Sequence, residues 1–279
     1  MLEPAMSPVA SRLRSTWRGA WRWLAWTFLL LGSPAWADPA GLEEPATQEA
    51  VQARIDALTR QIESRPDAPH YVKRGEAYFK LRDFDKAVED FSKAIQMNDR
   101  LDDAYYGRGM ALARNGEVGK GIADLSVYIE RHPKSSLAYT KRGVRYLWNG
   151  DEASAENDFL KAIALDPRNA EAHDDLGVIR ARRGEHDKAI EHFTTTLRID
   201  PSYHKAYHNL ALVYYLAGRE PQALTAVDAA IKLVPDNRNA LLLKSRILGS
   251  LGRHAEAQRV KDDADFLPAG NWSERMPVK

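Results

Sequence analysis

Small and apolar residues recur along this chain at a fixed interval of 34 residues, and Gly75, Gly109, Gly143, Gly177, Ala211 and Ser245 hold one phase of it. With each unit numbered from one to thirty-four and that small residue at eight, the other phases fall into columns. Position four reads Tyr71, Tyr105, Tyr139, His173, Tyr207, Leu241, and position eleven reads Tyr78, Leu112, Tyr146, Arg180, Tyr214, Leu248. Position twenty reads Ala87, Gly121, Ala155, Ala189, Ala223, Ala257, a small residue where backbones are expected to come close, and position twenty-four reads Phe91, Leu125, Phe159, Phe193, Val227, Lys261. Pro133, Pro167, Pro201 and Pro235 stand at thirty-two, with Asp99 in the first unit. Proline lacks an N–H and clashes with the preceding turn, so it is expected to stop a helix there. A period of this length predicts helix pairs stacked side by side: one pair cannot cover its own apolar face, and only its neighbours remove that face from water.

Within one unit, Tyr139, Val144, Tyr146, Leu147 and Trp148 spread over a wide face, as in a helix buried on one side and partly used on another. Gly150 follows, and Gly116, Gly184, Gly218 and Gly252 fall at the same site in other units, where a left-handed closing residue is expected. Pro221 is expected in the first turn of its unit's second helix. The second helix of unit two contains Gly119 and Gly121, each costing roughly 1 kcal/mol relative to alanine in a helix interior. It is expected to open before the others. At the far end Lys261 replaces the large apolar residue and stands among Glu256, Arg259, Asp262 and Asp263, which predicts a solvated capping helix. The tail from Pro268 to Lys279, with Trp272, is expected to be mobile.

Small at eight, aromatic at eleven, Ala at twenty, Phe at twenty-four and Pro at thirty-two resembles the signature of the tetratricopeptide repeat (TPR) family. The departures are Arg180 at an aromatic position, Ala211 and Ser245 in place of Gly, and the missing prolines of the first and last units. The resemblance implies an all-α, right-handed superhelical solenoid of about six TPR helix pairs with capping helices. Its array would span 68–267, as units 68–101, 102–135, 136–169, 170–203, 204–237 and 238–267. In that family the first helices line a concave groove at about positions two, five, nine, twelve and thirteen. On this chain the groove candidates are Phe79, Lys80, Tyr106, Met110, Arg114, Leu147, Trp148, Arg182, His208 and Tyr215.

Tyr106, Arg114 and Trp148 are the foremost group, because rigid rings offer contact area at low entropy cost and guanidinium groups pair with carboxylates. The competing reading has Lys80, Arg114 and Arg182 merely solvated and the aromatics packed between repeats. Family members that grip a C-terminal carboxylate use Lys and Asn at positions five, six and nine of neighbouring units. The first units here offer Val72, Glu76 and Gly107, so that clamp is not expected.

Chemistry-bearing motifs are sparse. His204 and His208 are four apart, as a metal pair would be, but no third ligand at fixed spacing completes a site, so no metal and no cofactor are expected. Phosphate-loop, Gly-x-Ser-x-Gly and His-Glu-x-x-His patterns do not occur. Asp102-Asp103, Asp174-Asp175 and Asp262-Asp263 are adjacent on helices and diverge by about 100°. The expectation is a non-enzymatic adaptor or assembly factor that binds a protein or peptide partner, as a monomer or with weak self-association. A self-assembling structural scaffold is the alternative, and a metal-binding repeat protein is a remoter one.

Arg12, Arg14, Arg18 and Arg22 precede the apolar run from Trp23 to Gly32, and Ala35-Trp36-Ala37 supplies small residues at a cleavage point before Asp38. Residues 1–37 therefore read as a secretory signal peptide. The run is shorter than the roughly 20 residues a spanning helix needs, so no stable membrane insertion is expected after cleavage. The chain contains no cysteine, which excludes disulfides and a lipoprotein anchor. Removing Arg12, Arg14, Arg18, Arg22 and Glu3 from the 40 basic and 39 acidic residues leaves a charge of about −2. That balance gives polyanions no long-range attraction, and nucleic acid is not expected as a partner. Residues 38–67 read as a linker and an N-terminal capping helix, with Ala50, Val51, Ile55, Leu58 and Ile62 at helical spacing. The expected location is periplasmic, with an inner-membrane protein held by an uncleaved signal as the alternative. N-terminal sequencing of the exported form is expected to begin at or near Asp38; an intact Met1 in the envelope fraction would favour the anchor.

Overall fold

The structure, a computed structural model, describes residues 47–268. Residues 1–37, read above as a signal peptide, and all of the tail beyond Pro268 lie outside the described residues. The helices all belong to the unit that runs from Pro45 onward. Among the described residues there are 13 helices and no strand. Helix α1 (Gln48–Ser64) is followed by α2 (Ala68–Lys80), α3 (Phe84–Met97), α4 (Asp102–Arg114), α5 (Val118–Arg131), α6 (Ser136–Trp148) and α7 (Glu152–Leu165). Then come α8 (Ala170–Arg182), α9 (His186–Ile199), α10 (His204–Leu216), α11 (Glu220–Leu233), α12 (Arg238–Ser250) and α13 (His254–Phe266).

From α2 onward the helices form six antiparallel pairs, and each packs on its chain neighbours. Successive first helices, α2, α4, α6, α8, α10 and α12, also touch one another, while successive second helices do not. First helices therefore crowd the inside of the stack.

Residue size sets the spacing within each pair. A Cβ placed on Gly75, Gly143 or Gly177 would lie 3.1, 2.7 or 2.7 Å from the ring of Phe91, Phe159 or Phe193, each on the partner helix. Those three rings are almost wholly buried. Where position twenty-four shrinks to Val227, position eight grows to Ala211, and both are buried. In the last pair Lys261 turns to solvent, and Ser245 at position eight donates its hydroxyl to the Ala257 carbonyl at 2.8 Å. The departures from glycine are thus compensated on the facing helix.

Unit two solves the problem differently. Its position twenty-four is Leu125, and a Cβ on Gly121 would stand 2.6 Å from the Gly109 carbonyl oxygen, so the two backbones approach too closely for any side chain. Gly121, expected to be a weak point, is a packing requirement; Gly119, whose Cβ would meet nothing within 4 Å, is the unconstrained one.

A polar ladder reinforces the front of the array. Arg74, Arg108 and Arg142 each bond both oxygens of an aspartate on the partner helix, Asp90, Asp124 and Asp158, at 2.7–2.9 Å. Each also reaches back to a hydroxyl on the preceding second helix: Thr59, Ser92 and Ser126 respectively. In-plane bidentate pairs of this kind combine charge with strict geometry; here they tie the two helices of a pair together, while the third bond ties the pair to the helix before it. In units four and five the corresponding residues are Leu176 and His192, then Leu210 and Ala226, so the bidentate pair is absent there; in unit six Lys244 reaches back to Asp228 on the preceding second helix at 2.7 Å.

The turns between paired helices close on a left-handed residue, at Gly116, Gly150, Gly184, Gly218 and Gly252, and at Arg82 (φ 63°) in the first unit. Pro221 lies in the first turn of α11, where no N–H is missed. At the front Val51, Ile55, Leu58 and Ile62 of α1 are buried, while Ala50 is exposed. Val51 and Ile55 cluster with Ala77 of α2. At the back, α13 buries only Ala257 and Ala264.

Gly119→Ala is expected to raise stability by up to about 1 kcal/mol and to slow amide exchange across Val118–Tyr128. Gly121→Ala is expected to lower it by about 1–3 kcal/mol through overpacking. Urea unfolding of both variants checks the pair, and equal stabilisation by the two would refute the close-approach account.

Candidate functional site

Position thirteen, the C-terminal residue of each first helix, forms the exposed edge of the first-helix face. Lys80, Arg114, Trp148, Arg182, Leu216 and Ser250 are all exposed, with Trp148 at 44% and Leu216 at 55%. Phe79, Leu147 and Tyr215 at position twelve are partly buried, as is Met110 at position nine. Phe79 sits edge-on to Phe84 with ring centroids 5.4 Å apart, so part of its face is spent inside its own pair.

Position five differs from the expected exposed strip. Val72, Tyr106, Thr140 and Asp174 are buried, and His208 is partly buried. Tyr106 retains 4% of its exposure and packs on Tyr128 at 5.0 Å between α4 and α5, which itself stacks on His132 at 4.4 Å. Burial pushes its phenol pKa upward. Tyr106 is therefore a core residue of unit two and not an exposed groove ring. The ring is covered by the second helix of its own pair, through Tyr128 of α5. His208 has a buried Nδ1 without a hydrogen-bond partner, and burial holds its imidazole below the usual range.

The structure does bring Arg114 and Trp148 together. The Arg114 guanidinium lies 4.9 Å from the Trp148 ring centroid, and that of Arg145 lies 4.8 Å from it. Arg145 was not among the groove candidates. It is 2% exposed at position ten, where the other units carry Ala77, Ala111, Ile179, Val213 and Ile247. A charged residue interrupting an apolar column was the signal that could have found it. Its Nη1 donates to the Lys141 carbonyl at 3.2 Å, while Nε and Nη2 are buried without a partner. Burial, and then the Arg114 charge, lower its pKa to about 10, so it remains a cation at neutral pH.

Further along the same face the groups are acidic. Lys141 Nζ bonds both oxygens of Glu171, at 2.7 and 2.5 Å. Asp174 accepts a hydrogen bond from Asn209 Nδ2 at 3.1 Å, and burial raises its pKa to about 6. Asp175 is raised to about 8, by burial first and then by Glu171 and Asp174. The first-helix face thus runs from cationic around α4 and α6 to acidic around α8. Among the described residues no group of three or more His, Cys, Asp or Glu side chains converges as a metal would need.

The Asp175 carboxyl binds its proton more tightly in the folded chain than in the unfolded one. Its contribution to stability is complete below about pH 4 and is lost as pH rises towards 8. Asp175→Asn removes that loss while keeping the volume. Melting curves from pH 5 to 8.5 are expected to show wild-type Tm falling relative to the variant; parallel curves would contradict the assignment.

Family models described as tetratricopeptide repeat match residues 72–136, 140–204 and 180–247. No curated protein shows significant sequence similarity to the chain. Among solved structures, a chain of the APC/C hetero-tetramer Cut9-Hcn1 is similar with a TM-score of 0.71 and 17% identity over 82% of this chain and 45% of that one. This chain therefore spans less than half the length of that relative. The Pseudomonas aeruginosa pilF structure is similar with a TM-score of 0.64 and 16% identity over 80% of this chain and 95% of that one. YrrB is similar with a TM-score of 0.51 and 22% identity over 67% of this chain and 97% of that one. At such identities the structural likeness concerns the fold alone. With repeat models covering more than half of its length and six helix pairs in register with them, the chain belongs to the tetratricopeptide repeat family.

Proposed function

We propose that this protein is a non-enzymatic adaptor or assembly factor of the cell envelope, exported to the periplasm, that binds a protein or extended peptide along its first-helix face. The observation that carries the reading is the exposed edge at position thirteen. Trp148 and Leu216 present large apolar surface to solvent there, flanked by Lys80, Arg114 and Arg182. Apolar anchors rimmed by cationic groups are how interfaces concentrate binding energy in a few residues. YrrB is described as a TPR protein with an unusual peptide-binding site, which supports peptide recognition by an array of this kind. Location outside the cytoplasm rests on the leader read in residues 1–37. Among the described residues no helix is long and apolar enough to cross a membrane.

The test uses the exposed edge and spares buried Tyr106, whose truncation would cost about 3–5 kcal/mol of stability. A Lys80→Ser/Trp148→Ser/Leu216→Ser variant is expected to keep its helical circular dichroism and to lose, by at least tenfold, the partner that wild-type protein retains from envelope extract. Equal retention of the same partner by the folded variant would move the binding surface off this face.

A further inference from the structure

We propose that the face of α4 and α6 around Trp148 is a carboxylate-binding subsite, in which Arg114 and Arg145 take an acidic segment of a partner polypeptide. The inference deepens the proposed peptide-binding function and rests on it.

Arginines in this array find carboxylates wherever they leave water. The partly buried Arg74, Arg108, Arg142, Arg180 and Arg238 all bond an aspartate or a glutamate. Arg145 is more deeply buried than any of them, yet two of its three guanidinium nitrogens have no partner. Such a group is costly in a protein interior unless something pairs with it. Packing does not call for it, since the same column is filled elsewhere by Ala, Ile and Val. Among the described residues Arg114 beside it forms no ion pair; its guanidinium rests on the Trp148 ring, with Arg82 adding positive potential.

The acids that could neutralise this pair are otherwise engaged. Glu171 has both oxygens on Lys141, and it and Asp175 act on Arg145 only through space, without a bond to its guanidinium. Among the described residues, two guanidinium groups within 5 Å of one exposed indole are therefore left with no carboxylate bonded to either. A carboxylate can meet Arg114 at the surface, and rotation of the Trp148 side chain would open Nε and Nη2 of Arg145 to it. Guanidinium forks match carboxylates in the plane, and the indole supplies an apolar wall for the peptide beside them. An acidic peptide uses both features, whereas a free anion would use only the first.

The experiment selects binders from a random decapeptide library on immobilised exported-form protein. Wild type is expected to enrich peptides with at least two adjacent Asp or Glu residues, and replacing those by Asn or Gln in a synthetic peptide should weaken binding at least tenfold. Arg114→Gln, on the surface, and Arg145→Met, which restores an apolar residue to its column, should each abolish the acidic preference while circular dichroism stays unchanged. Enrichment of peptides without acidic preference would overturn the subsite and leave groove binding standing. Failure to enrich any peptide would count against both. Folded Arg114→Gln and Arg145→Met variants that keep the acidic preference would overturn the assignment to these residues, as would binding of an oligonucleotide in place of acidic peptides.

Discussion

The distance between the two helices of each pair depends on how much room position eight leaves for position twenty-four. Phe against Gly, Val against Ala, and a lysine turned outward against Ser are three solutions of one volume equation. Unit two gives a fourth, in which the partner loses its side chain at Gly121 and the backbones close in. Because a close-packed interior tolerates neither gap nor clash, this matching sets each pair's geometry. The pair's geometry then decides which first-helix positions meet the next unit and which meet water.

That order of dependence explains what could be read from the chain. The period, the column of small residues and the closing glycines are local, and each requires one residue type at one place. Helix pairs were therefore legible before any coordinates. Burial at position five was not, because it follows from contacts with other helices, Tyr128 of α5 against Tyr106 and Asn209 of α10 against Asp174, a property of the stacked array. Tyr106 looked like an exposed ring for that reason. Gly121 drew two expectations: intrinsic helix propensity counts it as a loss, while its column calls for a small residue at a close backbone approach, and the 2.6 Å that a Cβ there would leave to the Gly109 carbonyl oxygen decides for the second.

Charge obeys a similar division. Arg74, Arg108 and Arg142 with their aspartates are sixteen residues apart in three consecutive units, a spacing visible in the sequence although only the fold shows that it closes into bidentate pairs. Arg145 stands out by contrast with its own column, and its lack of partners depends on Lys141 already holding Glu171. Such secondary effects sit two steps from the sequence. Column-by-column reading finds the odd residue; coordinates say whether it is satisfied.

The ladder also sorts the units by how freely they could be exchanged. Units one and two each end in a helix offering a serine, Ser92 or Ser126, to the arginine of the unit that follows. Unit three carries Leu160 at that place, and the next unit answers with Leu176 in place of arginine. The junction after α7 is thus a change of gauge, like a coupling between two makes of railway carriage. Duplication or loss of unit one or unit two preserves matching ends, and so does not disturb the register. Recombination across it would join a serine to a leucine or an arginine to a leucine, and the polar tie between neighbouring units would be lost there.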